Sequence, residues 1–151
     1  MSRLTLAAAR TIADATLAEA GRRGAKALCV TVLDAGGHVL VTLRDERASL
    51  FRAEIAGAKA MSVLGMGFGG RTLAARAQHS PAFFAALTVV TGGQIVPVPG
   101  GVLIRDADGD IVGSAGVSGD TSDVDEACAI AGIAAAGFAA DAGEAPGEGQ
   151  R

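Results

Sequence analysis

The sequence predicts a single α+β domain in which helices pack against one antiparallel sheet. Two hairpin patterns, each with a glycine-containing turn, lie between helical patterns, and hairpins require antiparallel strands. A chain of 151 residues suits one domain with its own core. Half of the residues are hydrophobic and only 19% are charged, which excludes an intrinsically disordered chain.

The first half of the chain predicts a helix, a hairpin and a second helix. Apolar residues recur at helical spacing from Leu6 to Ala20, with Thr5 as N-cap and glycines after the last turn. Apolar, β-branched residues at 27–33 and an extended pattern at 38–43 flank turn residues and predict the first hairpin. Ser49 is the expected N-cap of a second helix that reaches residue 64.

A glycine-rich segment at 65–70 ends this helix, and the second half of the chain again contains helices, a hairpin and a last helix. Two short helices are predicted, at 71–78 and at 81–88, the second with Pro81 in its first turn. A second hairpin, with strands at 102–105 and 111–117, comes next.

A last helix is predicted from Ser122, which would form a capping box with Asp125. Its expected apolar stripe runs from Val124 to Phe138. The Gly, Glu and Pro content beyond residue 140 predicts a flexible C-terminal tail, so we expect one domain over 1–140 and a tail over 141–151.

Charge and composition exclude several classes of partner. Thirteen basic residues against sixteen acidic ones give a net charge of −3, so no positive field favours nucleic acid. The stretch between Arg76 and Arg105 carries no charge, but prolines interrupt it, so no membrane span is expected. With aromatic residues at only 3%, the core must be built from small side chains, and we expect a homo-oligomer whose interface adds burial.

The cysteines and the N-terminus indicate a cytoplasmic protein. Cys29 and Cys128 have no spacing typical of a zinc site or a disulfide framework, so both are expected to be buried thiols. The first residues run directly into an amphipathic pattern and show no export signal. The acidic stretch 106–110 resembles a calcium loop, but the glycine and the glutamate that such a loop needs are Ile111 and Val117 here.

Two basic positions are candidates for anion binding. No acid on its own predicted helix is placed to pair with Lys59, and Arg52 lies seven residues earlier on nearly the same face. Lys59 either extends to solvent or contacts an anion with a tuned pKa. Arg44, next to Asp45 at the exit of the first hairpin, either binds a ligand or forms a surface ion pair.

The segment 117–121, which leads into the last helix, is a third candidate. Free N–H groups at a helix N-terminus favour a carboxylate or phosphate, although simple capping explains the same residues. The acids Asp123, Asp125 and Glu126 in the first turn oppose an anion there. The two histidines, His38 and His79, are candidates for iron binding or proton transfer, although a lone histidine more often has a structural role.

Several segments together resemble one known family, the GlcG/HbpS family, also described as haem-binding or DUF336 and related to the C-terminal domain of PduO-type proteins. The resemblance runs from Leu4 to about Ala140. The segments that carry it are 32–38 with Arg44-Asp45, Lys59-Ala60, Pro99-Gly100-Gly101-Val102, 111–119 and Asp125-Glu126-Ala127.

The resemblance implies a profilin-like α/β/α sandwich around an antiparallel sheet, assembled as dimers or higher homo-oligomers. Family members bind haem or other small anionic molecules, and some act in catabolic operons on small organic acids. This sequence departs from the family's usual Gly-Gly-Gly-x-Pro before the second hairpin, and it has Val124 where the family usually places Gln. The second departure removes one polar contact.

Our first hypothesis is a cytoplasmic protein that binds a carboxylated ligand, with haem as one option through its propionates. Arg44 and Lys59 would supply charge, and Asp125 would orient a cation or act as acid or base. Either His79 or His38 would ligate haem iron. Backbone N–H groups would come from Gly100, Gly101, Ser118 and Gly119.

The second hypothesis is an enzyme, a lyase, isomerase or hydrolase that acts on a small unsaturated or imino acid. Lys59 or Asp125 would transfer the proton and Arg44 would hold a carboxylate. A structural assembly subunit without a ligand is a third hypothesis. No resident metal ion is expected in any of them.

Overall fold

The protein folds into a five-stranded antiparallel sheet covered by helices on both faces. This computed structural model describes residues 3–144. The elements in chain order are α1 (Leu6–Arg23), β1 (Cys29–Asp34), β2 (Val39–Arg44), α2 (Arg52–Met66), α3 (Gly70–His79), α4 (Pro81–Val90), β3 (Gly101–Arg105), β4 (Ile111–Ser118), α5 (Ser122–Ala135) and β5 (Ala139–Asp141).

The strands lie in the order β2-β1-β4-β3-β5, and every neighbouring pair is antiparallel. Side chains such as Val30 and Val117 face α1 and α5 in the larger apolar core. Their neighbours along each strand face α2, and a smaller core that includes Leu103 and Leu73 lies between the sheet, α2, α3 and α4. The predicted α+β class and the α/β/α sandwich are therefore confirmed.

Three details of the predicted helices are wrong. Helix α1 continues through Gly21 and ends at Gly24, whose φ of 63° suits a glycine. Ser49 does not cap α2, which starts after Phe51 without a side-chain cap. Thr121, and not Ser122, caps α5 by accepting from the Val124 amide.

The change of cap at α5 has a physical reason. Thr121 has extended backbone angles, which suit an N-cap, so the helix starts at Ser122, one residue earlier than a cap at Ser122 would allow. Asp125 is therefore free of the predicted capping box and points into the protein. The helix ends at Ala135, so Phe138 lies beyond the stripe that was predicted to include it.

Strand β5 was not predicted from the sequence. This strand pairs with β3, and Arg105 forms an ion pair with Asp141. Residues 142–144 were assigned to the tail, but Ala142 accepts from the Arg71 amide and the Glu144 amide donates to Thr72. These contacts hold residues 141–144 against the domain. The flexibility of the tail stays a prediction, and the rest of the predicted tail lies outside the described residues.

Helix α2 approaches the sheet very closely because glycines face it. A Cβ added to Gly116 would lie 2.0 Å from the Ala56 carbonyl oxygen. A Cβ added to Gly101 would lie 2.4 Å from the Lys59 carbonyl oxygen. Ser114 Oγ, on the same face of β4, donates to the Ala60 carbonyl at 2.8 Å. The backbones of α2, β3 and β4 are therefore in direct contact.

We expect Gly116→Ala to lower the free energy of unfolding by about 3 kcal/mol, because the helix and the strand must separate to admit a methyl group. Gly57→Ala is the matched control on α2, where nothing lies within 4 Å of an added Cβ. This control should raise the free energy of unfolding by about 1 kcal/mol through helix propensity. Urea unfolding followed by far-UV circular dichroism measures both changes. Equal midpoints for Gly116→Ala and the wild type would contradict the close packing.

Candidate functional site

One end of the sheet brings together three residues on the face that α2 covers. Arg44 of β2, Cys29 of β1 and Ser118 of β4 are direct cross-strand neighbours. Adjacent strands are about 4.8 Å apart, so the α-carbons of Arg44 and Ser118 are about 10 Å apart. Arg44 and Ser118, predicted as site residues from distant parts of the sequence, therefore lie near each other.

Arg52 completes this cluster from the first turn of α2. Its Nη1 donates to Ser118 Oγ at 3.0 Å and its Nε donates to Ser49 Oγ at 3.0 Å. The Arg44 guanidinium donates to the Ala48 carbonyl in the same loop. We call Arg44, Arg52 and Ser118 the arginine cluster. From the sequence, Arg52 was noted only because it lies seven residues before Lys59 on nearly the same helix face. That spacing was the sequence signal available for Arg52.

The arginine cluster has an excess of positive charge. Within residues 3–144, neither guanidinium forms an ion pair. Asp45, the predicted partner of Arg44, instead pairs with Arg47 at 2.9 Å, which lowers the pKa of the Asp45 carboxyl to about 2. The charge of the nearby Glu54 raises the pKa of the Cys29 thiol, and Glu54 forms no ion pair with Arg44 or Arg52.

The surroundings of the arginine cluster combine apolar surface with a buried thiol. Leu50 and Phe51, which precede Arg52, are 77% and 65% exposed. Cys29 is buried beneath the cluster, and burial raises the pKa of its thiol to about 11, although the Arg44 charge opposes this. Cys29 is therefore a neutral thiol at neutral pH, and the arginines carry the charge of this site.

Lys59 lies deeper between α2 and the sheet, in an ion pair that the sequence did not predict. Its Nζ donates to Asp125 Oδ2 at 3.2 Å and to the Val117 carbonyl at 2.9 Å. The two side chains are only 4% and 1% exposed. Burial lowers the pKa of the Lys59 ammonium, and the charge and hydrogen bond of Asp125 oppose that change. Lys59 therefore neither extends to solvent nor lacks a partner.

Each acid in the first turn of α5 is paired with a basic side chain, so these carboxylates, and not a ligand anion, lie at the N-terminus of this helix. Asp125 Oδ1 also accepts from the Asp120 amide at 2.9 Å. Asp123 and Glu126 both pair with Arg71 of α3, at 2.8 and 2.9 Å. Side chains of the chain itself therefore pair with the acids at the N-terminus of α5. At this end of the sheet, Arg44 and Arg52 of the arginine cluster have no carboxylate partner within residues 3–144.

The predicted glycines make close contacts within the chain. A Cβ on Gly100 would lie 2.7 Å from Lys59 Nζ, and one on Gly119 would lie 2.4 Å from Leu28 Cβ. Gly101 is in similar contact with α2. The space in front of each glycine is occupied by protein atoms, so the predicted contacts of these amides with a ligand stay predictions.

The histidines lie away from Lys59 and differ in their surroundings. His38 follows the turn of the first hairpin, is 80% exposed and contacts Asp34 through Nδ1 at 3.1 Å. His79 is the last residue of α3 and is exposed, and its ring makes no hydrogen bond to another residue within 3–144. Arg76, one turn before His79, stacks over Phe68 with its guanidinium carbon 4.2 Å from the ring centroid.

A cavity of about 350 Å³ lies beside the arginine cluster, between the C-terminal end of α1 and the exit of β2. Leu17, Leu28 and Leu43 contribute apolar surface to it. Its charged lining residues have both signs and are Lys26, Arg44, Asp45, Glu46 and Arg47. Arg44 therefore belongs to the arginine cluster and also lines this cavity.

Two further properties concern the part of the chain that the structure describes. No group of three or more His, Cys, Asp or Glu side chains lies close enough there to hold a metal ion. None of the helices in residues 3–144 combines the length and the apolar character that crossing a membrane requires.

Comparisons with known proteins identify relatives over nearly the whole chain. A family model described as haem degrading protein HbpS-like matches residues 4–134. No curated protein matches the chain. The predicted resemblance to this family is confirmed.

Solved structures give the same result. The crystal structure of a PduOC:heme complex superposes with a TM-score of 0.81 at 26% identity, covering 91% of this chain and 97% of that chain. The crystal structure of HbpS gives 0.76 at 32% identity, with 89% and 90% covered. The DUF336 protein ORFY from Klebsiella pneumoniae gives 0.81 at 25% identity, with 91% and 93% covered.

We expect Asp125→Asn to lower the free energy of unfolding by about 3–5 kcal/mol, because it leaves the Lys59 charge buried without a counter-ion. The double variant Lys59→Met/Asp125→Leu removes both charges and should recover most of this loss. Asp45→Asn breaks the exposed pair with Arg47 and is the control that should change stability little. Urea unfolding measures all three variants, and a double variant less stable than Asp125→Asn would contradict the role of the unpaired charge.

Proposed function

Because the chain belongs to the HbpS-like family, we propose that it binds a small carboxylated ligand at the arginine cluster, with haem as the first candidate. One observation carries the proposal. Arg44 and Arg52 converge on the same end of the sheet, and neither has a carboxylate partner within residues 3–144. A ligand carboxylate can supply the charge that the cluster lacks.

The geometry of the two guanidiniums favours this ligand class. Arg52 uses Nε and Nη1 to bind Ser49 and Ser118, which fixes its plane and leaves Nη2 without an acceptor among residues 3–144. Planar guanidiniums with unused donors bind carboxylates through charge-assisted hydrogen bonds. The exposed side chains of Leu50 and Phe51 add apolar surface beside these donors. We therefore propose a ligand with both a carboxylate and an apolar body.

Haem has this chemistry, and the relative crystallised as a heme complex supports it. Bound haem would supply an iron centre that takes an axial ligand and propionates that bind cations. The residues present fit both requirements, since Arg44 and Arg52 are cations and the sequence contains two histidines.

Both histidines stay candidates for binding haem iron in this proposal. His38 immediately precedes β2 and lies six residues from Arg44, so their α-carbons are about 20 Å apart. A histidine side chain, the haem and an arginine side chain can together span this separation. His79 is exposed, and its ring has no hydrogen-bond partner within residues 3–144.

The geometry supports binding over catalysis by Lys59. The alternative function, a lyase, isomerase or hydrolase, needs a substrate at Lys59 Nζ or at Asp125. The ammonium is almost completely buried, and both acceptors described for it belong to the protein. Haem or small-acid binding needs only the exposed arginine donors.

We also propose self-association and a cytoplasmic location. Phe83, Val89 and Val90 of α4 are exposed on a helix without charged residues, which supports burial against another copy. Cys29 and Cys128 are both free thiols, which supports a reducing compartment. A place in the catabolism of small organic acids stays a prediction.

We expect the wild-type protein to bind cis,cis-muconate, a small dicarboxylate, in isothermal titration calorimetry. Arg44→Gln and Arg52→Gln should each raise the Kd about tenfold or more, because each removes a charge-assisted contact. Arg10→Gln, on the exposed side of α1, is the matched loss of one positive charge and should leave the Kd unchanged. Equal affinities of all three variants would contradict the assignment of the cluster. A wild-type protein that binds neither muconate nor haemin would contradict the proposed function.

Haemin binding should produce a Soret band whose position shifts in His38→Ala or in His79→Ala and whose titration midpoint rises in Arg44→Gln/Arg52→Gln. Arg10→Gln is the control, and we expect it to keep the wild-type Soret band and midpoint because Arg10 lies on the exposed side of α1. Absorbance titration measures all of these quantities. An unchanged midpoint in Arg44→Gln/Arg52→Gln would place haem outside the arginine cluster.

A further inference from the structure

We infer that the buried Lys59–Asp125 pair is a positioning device for the arginine cluster, because it fixes the backbone on both sides of Ser118, the residue that binds Arg52. The inference rests on the proposed function of that cluster. It gives Lys59 and Asp125 a role that requires no contact between them and the ligand.

The contacts of the pair surround Ser118 in the chain. Lys59 Nζ donates to the carbonyl of Val117, immediately before Ser118. Asp125 Oδ1 accepts from the amide of Asp120, two residues after Ser118. The pair itself joins these two contacts through the 3.2 Å bond between Nζ and Oδ2. The segment 117–120 is thus held at both ends by one buried unit.

The segment has little freedom to move between these two points. Ser118 is fully buried. Gly119 is so close to Leu28 that even a Cβ has no room, and Asp120 Oδ2 accepts from the Lys26 amide at 2.8 Å. Ser118 Oγ therefore occupies a defined position when the Lys59–Asp125 pair is intact.

Helix α2 couples this position to Arg52. Arg52 and Lys59 are seven residues apart and lie on nearly the same face of the helix. Arg52 binds Ser118 while Lys59 binds the preceding residue of β4, so the helix is attached at two consecutive residues of one strand. A shift of residues 117–118 would break the hydrogen bond that orients the Arg52 guanidinium.

An oriented guanidinium binds a carboxylate better than a mobile one, because less side-chain freedom is lost on binding. An ion pair suits this task because one ammonium can donate to a carbonyl and to a carboxylate at once. The carboxylate, in turn, can accept from the ammonium and from a backbone amide. Neutral apolar side chains would fill the space without holding either backbone group.

The test uses Lys59→Met/Asp125→Leu, a variant without an unpaired buried charge, and cis,cis-muconate as the probe. We expect its Kd to rise about tenfold or more in the folded protein, as in Arg52→Gln. Ser114→Ala is the matched control, because it also removes a buried hydrogen bond between β4 and α2 but lies four residues from Ser118. This control should lose stability and keep the wild-type Kd. A double variant that is folded and keeps the wild-type Kd would overturn the inference.

A second measurement does not depend on the ligand. The side-chain N–H groups of Arg52 can be followed by nitrogen-15 NMR without any probe. We expect the Nη1 group to exchange with solvent about tenfold faster in the double variant than in the wild type or in Ser114→Ala, because Ser118 no longer accepts its hydrogen bond. Unchanged exchange in the double variant would overturn the inference.

The two measurements separate the inference from the proposed function. Loss of Arg52 order in the double variant, together with a wild-type protein that binds no carboxylate, would support the positioning role and reject the ligand. Muconate binding by the wild type with unchanged exchange and affinity in the double variant would support the ligand and reject the positioning role.

Discussion

The architecture depends on the direct contact between the backbone of α2 and the backbones of β3 and β4. Gly101 and Gly116 make this contact possible, because no side chain separates the helix from the strands. A residue on the inner face of α2 consequently reaches backbone groups of the sheet itself. Lys59 uses this closeness to bind the Val117 carbonyl.

The charges around the end of the sheet fall into two groups with different roles. The acids of α5 pair with basic residues from other elements, Asp125 with Lys59 and both Asp123 and Glu126 with Arg71. Arg44 and Arg52 are bound only by neutral oxygens among the described residues. The excess positive charge is therefore local to the arginine cluster, although the whole chain has a net charge of −3. Net charge argued against nucleic acid as a partner and carried no information about this local excess.

A large part of the fold and part of the site were predictable from sequence. The helices and both hairpins follow from periodicity and turn residues, because these signals are local. Arg44 and Ser118 were correctly placed at strand ends, although only cross-strand register shows that Cys29 lies between them. Strand β5 was missed because three residues carry no periodic pattern, and their pairing with β3 is a long-range contact.

The sequence by itself determined the five helices, the two hairpins with their antiparallel strands, and the set of charged residues from which any anion site must be built. Tertiary structure decided which of those charges are neutralised. Lys59 and Asp125 are 66 positions apart and meet only because α2 and α5 approach the same end of β4. Burial and partner choice depend on such long-range contacts, which hydrophobic periodicity along one helix does not encode. For this reason Lys59 was predicted either to extend to solvent or to contact an anion, whereas it is buried and paired with Asp125.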